Sequence, residues 1–168
     1  SDAYLEESGL DQDERTWRMV GDPTEGALVV AAAKAGIRRE TVDEHFPRIM
    51  EMPFDSARKR MITIHEMPKE DDFRAALGLG DSNAIAFIKG APDIVLEYCD
   101  NIRENGSAKP LDDDKRAQVL AANKEMAQQA LRVIGVAYRP IDQLPDEENI
   151  EAIEQSLTFV GLMGMIDP

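Results

Sequence analysis

Cysteine is almost missing from this chain: Cys99 alone among 168 residues excludes an internal disulfide and a cysteine-built zinc site, and fits a reducing compartment. Histidine is as scarce, with only His45 and His65. A Ser/His/Asp or Cys/His machine would have to be built on one of them, and neither stands in a recognisable context. Positive charge is the minority sign, 19 lysines and arginines against 33 aspartates and glutamates, for a net -14. That excess repels a polyanion over most of the surface and argues against nucleic acid as a partner. No apolar run approaches the ~20 residues that a membrane-crossing helix needs, and nothing reads as a signal peptide. The phosphate-loop pattern G-x-x-x-x-G-K-[ST], a complete G-x-G-x-x-G, H-E-x-x-H and the calcium-loop pattern are all absent. Gly78-Leu79-Gly80 only begins a dinucleotide fingerprint, in an acidic loop instead of a strand-to-helix turn. No catalytic residue and no metal ligand can be named.

What remains is enough for a globular unit. Apolar residues make up 43% of the chain, and a chain of this length buries roughly 70% of the surface that its unfolded form exposes. Residues 1–16 are polar, acidic and largely without period, and are expected to be a flexible N-terminal segment. A single domain is expected over 17–168. Asp22-Pro23-Thr24-Glu25 predicts a capped helix start, with Asp22 at the cap, Pro23 in first position and Glu25 in third. Gly36 closes that helix, and its run of apolar residues suits burial on most sides. A short polar helix follows around 40–45. Ile49 to Phe54 and Arg60 to Glu66 read as a hairpin around Asp55-Ser56-Ala57-Arg58-Lys59. Further on come a loop over 68–82, a strand over 84–89 and a helix opened by Pro92-Asp93 that ends near Cys99. Then follow a turn at Asn105-Gly106, a long helix over 111–130, a strand over 132–138, a helix over 146–155 and a last strand over 157–166. The pattern is α+β: a mixed, largely antiparallel sheet with helices packed on it.

Four segments carry chemistry. Phe54 stands close to Arg58, Lys59 and Arg60, the best local basic stripe and a short one. A planar base lies well on a ring face and its phosphates on nearby cations, yet a core ring beside a solvated turn explains the same letters. Lys89 shares a strand face with Ile85 and Phe87. It either ends the strand and reaches out to water or lines a half-apolar cavity against an anion. Gly90 beside it allows a close approach to the backbone. Arg132 shares a face with Ile134, Val136 and Tyr138 and either forks onto a phosphate or pairs with one of the many acids. Glu25 is explained by the capping box, or else accepts a bond from the exocyclic amine of a purine.

Taken in order, Gly21-Asp22-Pro23-Thr24-Glu25-Gly26-Ala27-Leu28, Phe54-Asp55-Ser56-Ala57-Arg58-Lys59-Arg60-Met61, Lys89-Gly90-Ala91-Pro92-Asp93 and Leu131-Arg132-Val133 resemble the nucleotide-binding domain of P-type cation-transporting ATPases. The resemblance spans roughly Trp17 to Pro168. The Phe-Asp-Ser and Arg-Lys-Arg-Met letters look more like calcium-type pumps than heavy-metal pumps. The tail Gly161 to Pro168 resembles the family's return to its phosphorylation domain.

The resemblance implies a twisted antiparallel sheet flanked by helices, and a cytoplasmic domain of an integral membrane protein that does not itself enter the membrane. It implies ATP as substrate, with the γ-phosphate presented to an aspartate of a separate phosphorylation domain. That domain and the actuator domain are the implied partners, and Mg2+ enters only in the full-length parent. By position, Phe54 would stack on adenine, Glu25 bond near its amine, and Met61 wall the pocket. Lys89 with Gly90 would lie beside the adenine and the start of the phosphate chain, and Lys59 and Arg132 would face the phosphates. Ser56 stands where some calcium pumps of the family have a phosphate-contacting arginine, with Arg58 or Arg60 as candidates to replace it. Asp93 stands where the family has glutamate. The aspartyl-phosphate motif Asp-Lys-Thr-Gly-Thr is not in this chain, so turnover belongs to the parent. The alternative is a non-enzymatic, acidic protein-interaction module.

Overall fold

The computed structural model describes residues 3–8, 16–67, 74 and 80–166. Most of the loop expected over 68–82, the Gly78-Leu79 pair and the terminal Asp167-Pro168 lie outside the described residues. The chain divides into two compact units, one up to His45 and one from Phe46 onward, where the sequence predicts one domain from residue 17.

In the first unit, β1 (Tyr4–Ser8) pairs antiparallel with β2 (Thr16–Val20), Tyr4 opposite Val20 and Ser8 opposite Thr16. The segment expected to be flexible therefore contains a strand, held by backbone pairing that needs no hydrophobic period. α1 (Pro23–Lys34) starts as expected: Asp22 Oδ1 accepts from the amides of Thr24 at 2.9 Å and Glu25 at 3.1 Å, and Pro23 opens the helix. Gly36, with φ of 78°, follows its end. Burial on most sides does not hold. Gly26 is the buried residue of α1 and its other apolar side chains are half-buried or exposed, because a two-stranded ribbon and the short α2 (Arg39–His45) are too few to surround it. A Cβ on Gly26 would run into the side chain of Met19 on β2, so glycine permits the closest helix-to-ribbon approach.

The second unit is a seven-stranded sheet in the order β3-β4-β5-β8-β9-β6-β7. Its strands are β3 (Arg48–Asp55), β4 (Arg60–Glu66), β5 (Ala84–Gly90), β6 (Cys99–Glu104), β7 (Ser107–Pro110), β8 (Leu131–Ile141) and β9 (Leu157–Ile166). All neighbours pair antiparallel except β6 and β9, which are parallel. The mixed, largely antiparallel sheet with helices is thus the one expected, and Pro53 sits on the edge strand β3, where a missing N–H costs no ladder bond. The Asn105-Gly106 turn joins two strands, β6 and β7, that the sequence pattern does not announce: Ser-Ala-Lys-Pro has no apolar alternation, and all four residues are exposed.

Residues directly opposite on neighbouring strands share a face, so the registers define two rows of side chains. Ile62, Ile88, Ala137 and Phe159 stand side by side across β4, β5, β8 and β9 and belong to the main core with Val95 and Leu96 of α3 (Pro92–Glu97). A Cβ on Gly135 would come within 3.0 Å of Pro92 Cα, which seats α3 on that face. α4 (Asp113–Gln128), capped by Asp112 Oδ1 accepting from Lys115 N at 2.9 Å, lies on β8 and β9. Leu111, expected in the helix, precedes it and donates its amide to Asp100 O at 2.8 Å. Cys99 is packed in the same core, and burial pushes its thiol up to about 12, so it behaves as a neutral apolar group. The helix expected over 146–155 is a 3-10 helix, Glu147–Ile153; Ile150 and Ile153, three apart, are both buried, and a three-residue turn sets them on one side.

Phe159, 1% exposed, is the largest ring at the centre of this core. Phe159→Ala is expected to lower unfolding stability by about 3 to 5 kcal/mol, the cost of lost transfer energy plus a partly collapsed cavity. Urea unfolding followed by circular dichroism measures it.

Candidate functional site

The hairpin turn between β3 and β4 is built by its own residues. Asp55 Oδ1 accepts from the amides of Ala57 at 2.8 Å and Arg58 at 2.7 Å, and Asp55 O from Lys59 N at 2.6 Å. This closes a loop that leaves Lys59 left-handed, with φ of 53°. A residue with a Cβ is disfavoured there, so the neighbours must hold it. They do: Lys59 O accepts from Ala91 N at 3.0 Å, and the place where a Cβ of Gly90 would stand is filled by that same carbonyl and by Arg60, whose Cα would lie at 2.8 Å. The close approach that Gly90 allows is made by the chain itself.

This junction brings two of the four sequence segments together. Arg60 pairs with Gly90 and Met61 with Lys89, and Lys89 in turn lies opposite Val136 on β8. Met61, Lys89 and Val136 therefore form one row, on the face opposite the main core. Met61 is buried, and Lys89 and Val136 are half-buried. Phe54, just before the turn, is 62% exposed, which removes its reading as a core ring. Ser56 and Lys59 are exposed on the same turn. Arg132 is the second residue of β8, exposed and opposite Met165. Strand alternation puts it on the face of Val136, four residues and so roughly 13 Å along β8 from the Lys89 row. Glu25 belongs to the first unit, in the first turn of α1.

Arg58 and Arg60 are otherwise engaged. Both guanidiniums bond to Glu154, Arg60 Nε to Oε1 at 2.9 Å, Arg60 Nη2 to Oε2 and Arg58 Nη2 to Oε1. Arg58 Nε also lies 3.5 Å from Glu151 Oε1. The Arg60 guanidinium covers the Tyr98 ring at 4.5 Å from its centroid. Bonding to Glu154 raises the pKa of Arg60 above its ordinary value, against the opposing effect of burial. Both arginines, which the resemblance makes candidates to replace a phosphate-contacting arginine at the position of Ser56, thus face Glu154 in this structure. Glu154 and Tyr98 are missed by sequence reasoning, since nothing near either residue marks it as a partner of the turn.

Among the described residues no three His, Cys, Asp or Glu side chains are gathered so as to hold a metal ion, and no helix is long and apolar enough to cross a membrane. The second unit is thus an α+β body with a basic hairpin turn packed against the end of a central strand. Residues 2–168 match the family model described as "P-type ATPase, cytoplasmic domain N". The chain belongs to this family. It is 37% identical to the "Calcium-transporting ATPase" of Bacillus subtilis over 99% of this chain and 17% of that protein. It is 34% identical to the "Cation-transporting ATPase pma1" of Synechocystis over 100% of this chain and 16% of that protein. It is also 32% identical to the "Probable cation-transporting ATPase F" of Mycobacterium tuberculosis over 99% and 17%. The chain spans about one sixth of the length of these relatives.

A side chain at residue 90 would have to displace the Lys59 carbonyl. Gly90→Ala is expected to cost about 1 to 3 kcal/mol, as overpacking does, and to move the amide resonances of Lys59, Arg60 and Ala91 more than those of β9. A two-dimensional amide spectrum with a denaturation curve checks both.

Proposed function

We propose that this chain is the ATP-binding domain of a P-type cation-transporting ATPase, holding adenine and phosphates so that the γ-phosphate reaches an aspartate of a separate phosphorylation domain. The observation that carries the reading is the junction of the hairpin with β5. It puts an exposed ring, a lysine on a tight turn and a half-buried lysine next to a buried methionine around one corner of the sheet. Phe54 offers a face for a purine, Met61 an apolar wall, and Lys89 a cation beside that wall. Lys59 and Arg132 supply further positive charge for the phosphate chain, and Ser56 a hydroxyl. Arg132 stands about 13 Å along its strand from the Lys89 row, a gap wider than a triphosphate that the long side chains of Lys89 and Arg132 would have to bridge.

The chemistry assigned to this chain is positioning. In the parent, a carboxylate nucleophile in another domain takes the phosphoryl group and a later step hydrolyses it. Calcium is the cation that the name of the Bacillus subtilis relative gives, and we propose a cation of that kind as cargo. We assign Mg2+ to the parent with its nucleotide bound, where it usually joins one or two carboxylates to the phosphates, and no step of this chain is routed through it.

Titrating ATP into the isotope-labelled chain is expected to shift the amides around Phe54, Lys89 and Arg132 without turnover. Amides that stay in place, with a protein partner bound instead, would favour an acidic interaction module. Stacking is worth about 1 to 3 kcal/mol, so Phe54→Ala is expected to weaken ATP binding at least about fivefold and, being a surface change, to leave stability within about 0.5 kcal/mol. Calorimetry checks the first and thermal unfolding the second. ATP affinity is expected to change less than about twofold when magnesium is replaced by a chelator, since the proposed contacts are cations, an apolar wall and a ring; a steep magnesium requirement in the same calorimeter would contradict it.

A further inference from the structure

Three cations stand in a row in the hairpin, and a single buried carboxylate takes the outer two. Glu154, 4% exposed, follows the 3-10 helix and lies 94 residues from Arg60 in sequence. Its Oε1 accepts from Arg60 Nε and Arg58 Nη2, and its Oε2 from Arg60 Nη2. Arg60 Nη1 also donates back to Arg58 O at 3.0 Å, and the Arg60 guanidinium carbon stands over the Tyr98 ring. The two residues flanking Lys59 are thus tied to one rigid point.

The backbone between them is in the left-handed region, and turning Lys59 back to an ordinary φ would pull one arginine away from Glu154. Charge is divided in the same stroke. Arg58 and Arg60 are both paired with Glu154, and Arg58 with Glu151 as well, while the Lys59 ammonium has no hydrogen bond or ion pair among the described residues. A flexible row of three cations would meet a phosphate chain in many arrangements; this one presents a single cation in a single place, the preorganisation that makes a charged contact effective.

We propose that Glu154 is a positioning residue for nucleotide binding: by holding Arg58 and Arg60 it fixes Lys59 as the hairpin's phosphate contact. This rests on the reading of the chain as an ATP-binding domain, and it adds a residue that itself meets no part of the nucleotide. Removing the Glu154 charge leaves two arginines crowded with only the exposed Glu151 carboxylate beside Arg58, which loosens the turn and moves Lys59. Adenosine, which has no phosphates, should not sense the change.

The experiment compares ATP and adenosine by calorimetry on the wild-type chain, Glu154→Gln, Lys59→Ala and the double variant. Glu154→Gln is expected to weaken ATP about fivefold to tenfold and adenosine less than about twofold, and to add almost nothing once Lys59→Ala is present, as coupled residues behave. Unchanged or tighter ATP binding, with the released arginines joining the phosphates, overturns the proposal. Equal losses for ATP and adenosine overturn it too, as does an additive double variant. Should Glu154→Gln fail to fold, Glu154→Asp keeps the charge but is too short to reach both arginines, and the same split between ATP and adenosine decides. Absence of ATP binding in the wild-type chain would instead sink the underlying reading.

Discussion

The second unit is organised around one close approach, the Lys59 carbonyl resting where Gly90 has no side chain and accepting from the Ala91 amide. Through that contact the end of the β3–β4 hairpin is fixed to the residue that opens α3. Arg60, one residue further, covers Tyr98 at the other end of the same short helix. α3 in turn lies over Gly135, with Pro92 Cα 3.0 Å from where a Cβ would stand, closer than ordinary van der Waals contact. Hairpin, helix and central strands are therefore held as one body by two glycines, because only a residue without a Cβ lets backbone or ring atoms come so near.

The electrostatics follow from this geometry. A chain of net charge -14 is a poor attractant for anions as a whole, so any anion site depends on local arrangement more than on the mean field. The structure sorts its cations. Arg58 and Arg60 are folded in against Glu154, where their charge stabilises the body. Lys59 is exposed on the hairpin, and Lys89 and Arg132 stand on the sheet face opposite the main core. Burying the Glu154 group also makes the division stable: a carboxylate at 4% exposure cannot easily exchange its arginines for water, and losing both would leave its charge buried without a partner.

Much of this was legible in the letters. Asp22-Pro23 marks a helix start by cap chemistry, and Asp55-Ser56-Ala57-Arg58-Lys59 marks a hairpin by its turn. Period-two alternation assigns Lys89 to the face of Phe87 and Arg132 to that of Val136. The strand over 4–8, the β6–β7 hairpin and the 3-10 character of 147–153 were not legible. Tyr4–Ser8 and Ser107–Pro110 pair through backbone bonds without an apolar period, and the turn over 147–153 is set by what Ile150 and Ile153 pack against.

The sequence by itself determined the local devices, namely caps, turns, strand faces and the ordered segments that mark the family, because each is decided by interactions within a few residues. Tertiary structure alone decided that Gly90 receives the Lys59 carbonyl, that Phe54 is exposed, that β6 runs parallel to β9, and that two of the three hairpin cations turn inward to Glu154. Those outcomes depend on strand order and on partners as far as 94 residues away, and residue periodicity carries no record of which distant segment will lie alongside.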